Sequence, residues 1–206
     1  MKLIGMLDSP YVRRVAISLQ LLDLPFEHQS LSVFRGFDEF SRINPVVKAP
    51  TLVCDDGTVL MDSTLILQYA EALAHPRSLL PTEPAALAQA LRATGLALAA
   101  CEKAVQIVYE RGLRPAEKQH EPWVTRVTGQ LLAACEALEA NCPENPSTSL
   151  DQASLSTAVA WEFIQQMLPD VVPASRFPRL TTFSLFAEAL PAFRAAPHGD
   201  STYRST

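Results

Sequence analysis

Apolar and polar positions follow two different periods along this chain, and the change from one to the other divides it. Lys2–Met6 is an apolar run of strand length. From Pro10 the spacing turns helical, with Val12, Val15, Ala16, Leu19 and Leu22 on one face. Ser9 is placed as its N-cap and Pro10 at its first helical position. Leu24–Ser30, opened by Pro25, reads as a second strand, and such a strand–helix–strand crossover implies parallel strands with the helix packed on the sheet. Ser32–Ile43 is less regular, with Phe34, Phe37 and Phe40 as expected core contacts near one or two helical turns. Thr51–Cys54 and Thr58–Met61 are short runs rich in β-branched residues, joined by Asp55-Asp56-Gly57, a turn in which glycine accepts the positive φ of a tight hairpin. Asp62, Ser63 and Thr64 are N-cap residue types in front of a helical stripe at Ile66, Tyr69, Ala70 and Leu73. The first part therefore reads β-α-β-α-β-β-α, a unit in which helices pack on a sheet.

Three prolines between His75 and Pro84 break the pattern. Beyond them only helical periods are found. Ala85–Arg111 shows a stripe at Leu91, Leu98, Val105 and Val108, with Gly112 as its stop. Glu117–Asn141 shows Val124, Val127, Leu131, Cys135 and Leu138, and a Pro/Ser/Asn-rich loop, 141–150, follows. Asp151 is placed to cap a helix through Leu155, Val159, Phe163 and Met167, and Arg179–Ala189 and Pro191–Ala196 follow. The tail from Gly199 is expected to fray. The domains expected are residues 1–76, a linker over 77–84, and an all-helical domain over 85–206.

The 206 residues are 48% hydrophobic and 19% charged with a formal net charge of −5, and acidic and basic residues are spread over both parts. Neither part is basic, which argues against nucleic acid as a partner. No apolar run reaches the roughly 18–20 residues of a membrane span. The N-terminus lacks the apolar core of a signal peptide, so the expected location is the cytoplasm. The cysteines, at 54, 101, 135 and 142, have no metal-type spacing, and the histidines form no ligand pattern, so no metal site is expected. Cys54, Cys101 and Cys135 fall on apolar stripes and read as buried thiols, whereas Cys142, beside Pro143, reads as exposed and open to reaction.

The most informative stretch is Asn44–Ser63. Pro50 stands just before a strand, where its missing donor is tolerated, and Ala49–Pro50 is a candidate cis peptide. The hairpin then brings that bend beside the capped helix opening at Asp62-Ser63. Four segments in order resemble the cytosolic glutathione S-transferases: Ser9-Pro10-Tyr11-Val12-Arg13-Arg14-Val15; Asn44-Pro45-x-x-Lys48-Ala49-Pro50-x-Leu52; Asp62-Ser63 after Asp56-Gly57-x-x-Leu60; and Ser78-Leu79-Leu80-Pro81. The likeness is to a serine-type, bacterial-style member, similar to the tau, zeta and theta classes. Ala49 stands where valine is commoner, and Asp151-Gln152-Ala153-Ser154 is a variant of a Ser/Thr-x-x-Asp helix opening.

The resemblance implies an α/β thioredoxin-like N-terminal domain followed by an all-α domain, and an enzyme transferring a small hydrophobic electrophile to the thiol of glutathione. From residues alone Ser9 is an N-cap; the resemblance adds a hydroxyl donor to the thiolate, assisted by the helix dipole. It also implies that Asp62 and Ser63 take the γ-glutamyl end at a helix N-terminus, and that Ala49, set by Pro50, pairs with the cysteinyl backbone as an added strand. Lys48 meets a carboxylate of the tripeptide or is a solvated lysine. Tyr11, Val105 and Tyr109 are candidates for the second-substrate pocket, placed between the domains. Glutathione enters as co-substrate, with no other cofactor, and a homodimer in detoxification is implied by resemblance only. The alternatives are a non-catalytic binding or stress-regulatory protein and a glutathione-dependent isomerase on the same fold.

Overall fold

Short strands bounded by proline and glycine, alternating with capped amphipathic helices, settle into a mixed sheet in the first part of the computed structural model, which describes residues 1–142 and 147–203. The elements are β1 (Lys2–Ile4), α1 (Pro10–Leu21), β2 (Glu27–Gln29), α2 (Phe37–Ile43), β3 (Thr51–Val53), β4 (Val59–Met61) and α3 (Ser63–Ala74). The sheet order is β2-β1-β3-β4. β1 and β2 are parallel, as the crossover through α1 requires, and β1–β3 and β3–β4 are antiparallel. Leu3 and Leu52 stand opposite each other in the ladder and are fully buried. Ile4, one residue on, faces the other side and joins Leu31 and Phe40. The β-α-β-α-β-β-α order is the one expected.

Phe34 and Phe37 depart from expectation. They are 56% and 55% exposed, and Phe40 alone of the three enters the core. The reason is that α2 begins only at Phe37 and is two turns long, so one face of it supplies a single buried position.

The helical part consists of α4 (Pro84–Leu113), α5 (Glu121–Asn141), α6 (Gln152–Met167) and α7 (Pro178–Glu188); α8 (Pro191–Ala195) follows. The face of α4 that is buried is not the leucine stripe. Leu91 is 53% exposed, while Ala90, Thr94, Ala97, Cys101, Ala104 and Ile107 are buried. α4 packs on both α5 and α6, and small side chains at its contact positions permit close helix approach. Asp151 caps α6 by accepting from the Ser154 amide at 2.8 Å. α7 is capped from α5, where the Glu139 carboxylate accepts from the amides of Arg179 and Leu180 at 2.9 and 2.8 Å. Trp161 lies in this core, edge-on to Phe177.

The chain divides into two units, Pro81–Glu188 and a second made of Met1–Leu80 together with the chain from Ala189 onward. The segment after Ala189 therefore groups with the sheet, unlike the expected helical domain over 85–206. Its anchors are both apolar and polar, with Phe193 and Ala196 fully buried. Arg13, buried in α1, donates from Nε to the Ala196 carbonyl at 2.8 Å and lies over the Phe193 ring. Nor is the tail frayed from Gly199, because Tyr203 stacks on Phe26 with ring centroids 4.5 Å apart. Part of the Pro/Ser/Asn-rich loop, 143–146, and the last residues, 204–206, lie outside the described residues.

All four cysteines are free and buried, which corrects the expectation for Cys142, only 4% exposed. Burial pushes the Cys135 thiol up to about 12 and Cys142 up to about 11, with Glu136 and Glu139 respectively adding to the rise. At pH 8 their thiolate fractions are then only about one in ten thousand and one in a thousand, against about a quarter for an ordinary thiol. Iodoacetamide at pH 8 is expected to leave both unlabelled in the native protein and to label both in denaturant. Prompt native labelling of Cys142 would show that it is not buried.

Candidate functional site

The site is assembled around the exit of β1. Gly5 has φ +135°, and a Cβ there would lie 2.6 Å from Val12 Cγ2 and 3.1 Å from the Ala49 Cβ. The loop thus passes closely between α1 and Ala49, and the missing side chain at Gly5 allows it. Ser9 ends that loop in extended conformation, and its Oγ accepts from the Val12 amide at 3.4 Å. Capping uses an oxygen lone pair, so the Ser9 O–H still has its hydrogen to give. The first turn of α1 carries no acidic residue, so no carboxylate there offsets the positive end of the helix. Just before it, desolvation holds the Asp8 carboxyl above the ordinary carboxylate range, with nearby His198 the largest opposing influence.

Asn44 builds the next part. Its Nδ2 donates to Thr51 Oγ1 at 2.8 Å, the Thr51 hydroxyl donates to the Lys48 carbonyl at 2.7 Å, and its own Oδ1 accepts from the Val46 amide at 3.0 Å. This buried network fixes the bend Asn44–Pro50, in which Val47 has φ +52° and the Ala49–Pro50 peptide is cis. The hairpin returns through β4 to Asp62, whose φ is +70° and whose side chain caps α3 by accepting from the Thr64 amide at 2.9 Å. Lys48 Nζ lies 3.6 Å from Asp62 Oδ2, so the two ends of the stretch meet. Both side chains of that pair are about half exposed, which makes it a weak tie and leaves Lys48 near solvent.

Ser63, at the first turn of α3, is buried. Arg14, 3% exposed, donates from Nη1 to Ser63 Oγ at 3.0 Å and to Thr64 Oγ1 at 3.4 Å. The bond joins α1, which Ser9 caps, to α3, which Asp62 caps. Arg14 carries no signal of this role in the sequence, where Arg13-Arg14 reads as two more charges on a helix. Ser9, Ala49, Asp62 and Ser63 are thus carried by one connected framework. Tyr11 is half-buried on α1, and Val105 and Tyr109 lie four residues apart on α4 of the other unit, half-buried and exposed respectively. Among the described residues no group of three or more His, Cys, Asp or Glu is placed to hold a metal ion, and no helix is long and apolar enough to cross a membrane.

Residues 3–78 match the family described as glutathione S-transferase, N-terminal domain. Over 84 residues, 41% of this chain and 42% of the relative, the chain is 32% identical to the uncharacterized GST-like protein YibF of Escherichia coli. The same fold runs through a Pseudomonas fluorescens glutathione transferase family member solved with bound glutathione, at 27% identity and TM-score 0.80, covering 95% of this chain and 97% of that one. The segment 3–78 therefore matches the glutathione S-transferase N-terminal domain, and the fold of the solved structure extends over nearly the whole chain. A glutathione S-transferase of Methylobacterium radiotolerans, in complex with glutathione sulfonate, shares the fold at 24% identity and TM-score 0.88, covering 100% and 98% of the two chains. The chain spans about two fifths of the length of the curated relatives it matches. In the order of the family fold, the matched segment contains every residue of the framework from Gly5 to Ser63.

Proposed function

We propose that this chain is a glutathione transferase: it binds reduced glutathione and lowers the proton affinity of its thiol, so that the thiolate attacks a small hydrophobic electrophile. The observation that carries the reading is the Ser63 hydroxyl, held by buried Arg14 at the N-terminus of a helix capped by Asp62. There the α3 amides and the Ser63 O–H suit the γ-glutamyl carboxylate. Asp62 is an acceptor for the neighbouring α-amine, and Lys48 a cation for a carboxylate of the tripeptide. The bend at Ala49–Pro50 offers backbone to the cysteinyl residue. That places the thiol toward Ser9 at the start of α1, whose O–H donates to sulfur and stabilises its charged form. The thiolate electron pair then forms the new carbon–sulfur bond as the leaving group departs with its own pair. Tyr11, half-buried on α1, offers aromatic surface for the electrophile. A cytoplasmic homodimer acting in detoxification belongs to the same proposal.

Calorimetric titration with glutathione tests it. Ser63→Ala is expected to weaken binding about tenfold or more, since a hydrogen bond to a charged group contributes about 1.5–3 kcal/mol. Absence of binding by the wild type would overturn the reading. Binding without turnover on a broad electrophile panel would replace it with that of a non-catalytic binding protein.

A further inference from the structure

The chemistry of the glutathione site leaves one side chain unexplained. His28, half-buried in the edge strand β2, is bonded at both ring nitrogens. Its Nε2 lies 2.7 Å from the carbonyl oxygen of Gly5, and its Nδ1 lies 2.9 Å from the backbone nitrogen of Tyr203. A carbonyl only accepts and an amide N–H only donates. The Nε2 must therefore carry the hydrogen and Nδ1 must be bare, which only the neutral Nε2–H tautomer satisfies. The imidazole thereby ties the segment after Ala196 to the loop that leads from β1 to Ser9.

Protonation breaks one of these bonds and keeps the other. With a hydrogen on Nδ1, two donors face each other and the Tyr203 bond is lost, while the Nε2–H bond to Gly5 remains. Among the other ties on the segment are the Phe26–Tyr203 stack and a bond from the Ser30 hydroxyl to the Asp200 carbonyl at 2.9 Å. Before Pro197 the chain stays anchored by Arg13 at the Ala196 carbonyl, so release is confined to the residues beyond that anchor. We propose that His28 is a pH-sensitive latch: neutral, it fastens Pro197–Tyr203 to the Gly5–Ser9 loop, and protonated it lets that stretch go.

The charged and titratable groups on the elements around it are Lys2 on β1, Glu27 beside it on β2, Asp8 in the loop, and His198, Asp200 and Tyr203 on the segment; none forms an ion pair with the imidazole among the described residues. Desolvation holds its proton affinity below the ordinary histidine value, against a smaller opposing pull from the Gly5 carbonyl. The docked state therefore binds fewer protons than the undocked one, and docking is favoured as pH rises. Its advantage is lost as pH falls below about 6.5, the ordinary value that an undocked ring regains. His198 works the other way, because its protonated form attracts Asp8 and would hold the segment more tightly in acid.

Hydrogen–deuterium exchange of the full chain at pH 7.5 and pH 5.5, corrected for intrinsic exchange, reads the latch without glutathione, so its outcome is independent of the proposed function. In the wild type the protection of the amides of residues 198–203 is expected to fall about five- to tenfold at pH 5.5, the limit that one proton with an ordinary value near 6.5 allows. The glutamine in His28→Gln retains a donor for Gly5 and has no acceptor at the Nδ1 position. It is expected to show low protection at both pH values, and His198→Gln to retain the wild-type fall. A wild-type segment equally protected at both pH values would overturn the latch. So would a pH response that survives His28→Gln or disappears in His198→Gln.

Discussion

Replacing Arg14 with methionine is expected to lower glutathione affinity about tenfold to a hundredfold while leaving the protein folded. Methionine matches much of the length of the buried side chain and brings no charge, so it avoids the heavy penalty of an unpaired buried ion. The change removes the donor to Ser63 Oγ and Thr64 Oγ1. A buried oxygen left without its donor costs about 1–3 kcal/mol, and Ser63 is then free to rotate away from the helix N-terminus. If Arg14 acts by holding Ser63, the two changes overlap. The Arg14→Met/Ser63→Ala double variant should then bind glutathione about as well as the weaker single variant, rather than showing the product of both losses. Multiplying effects in that cycle would mean that Arg14 contributes by another route.

The second large effect is expected at Ser9. Ser9→Ala should cut turnover at pH 6.5 about tenfold to a hundredfold and change glutathione affinity little. In the proposed mechanism the hydroxyl favours the charged form of the thiol, so its loss is expected to raise the apparent pKa of the bound sulfur. Below the raised value the variant holds less thiolate, and the gap to wild type narrows as pH rises and both sulfurs ionise. A loss of rate that is the same at pH 6.5 and at pH 9.5 would leave Ser9 as a helix cap alone. The cap itself can be checked in the same variant, since losing the Ser9 oxygen removes the acceptor of the Val12 amide, and a change of about 1 kcal/mol in unfolding free energy is expected.

Spacing and punctuation make much of this molecule legible from its residues alone. The strand and helix order of the first part comes from Pro10, Asp55-Asp56-Gly57 and Asp62, whose backbone demands are local and belong to the residue itself. The bend at Ala49–Pro50 and the cap at Asp62 are legible for the same reason. Arg14 is not, because its distinguishing feature is a bond to a hydroxyl 49 residues away. Nothing in its own neighbourhood separates a buried guanidinium from a solvated one. The wrong face of α4 has a different cause. Hydrophobic size points to Leu91 and Leu98, but a long helix packed against two others buries its alanines, since approach distance rather than side-chain area decides that contact. Cys142 and the segment after Ala189 escape the same reading because their contacts are ones that only the folded chain supplies.

The anchoring of Arg13 bears on how such proteins exchange parts. A crossover at the proline-rich stretch near residue 80 looks like a clean seam, but the fold of the first unit is completed by Phe193 and Ala196, more than a hundred residues downstream. A chimera that joined residues 1–80 to an unrelated helical half would inherit a guanidinium buried in α1 with neither its carbonyl nor its aromatic ring. Viable recombinants should therefore bring Phe193–Ala196 along with α1, or carry a different residue at position 13, making the heritable module two separate stretches of sequence rather than one.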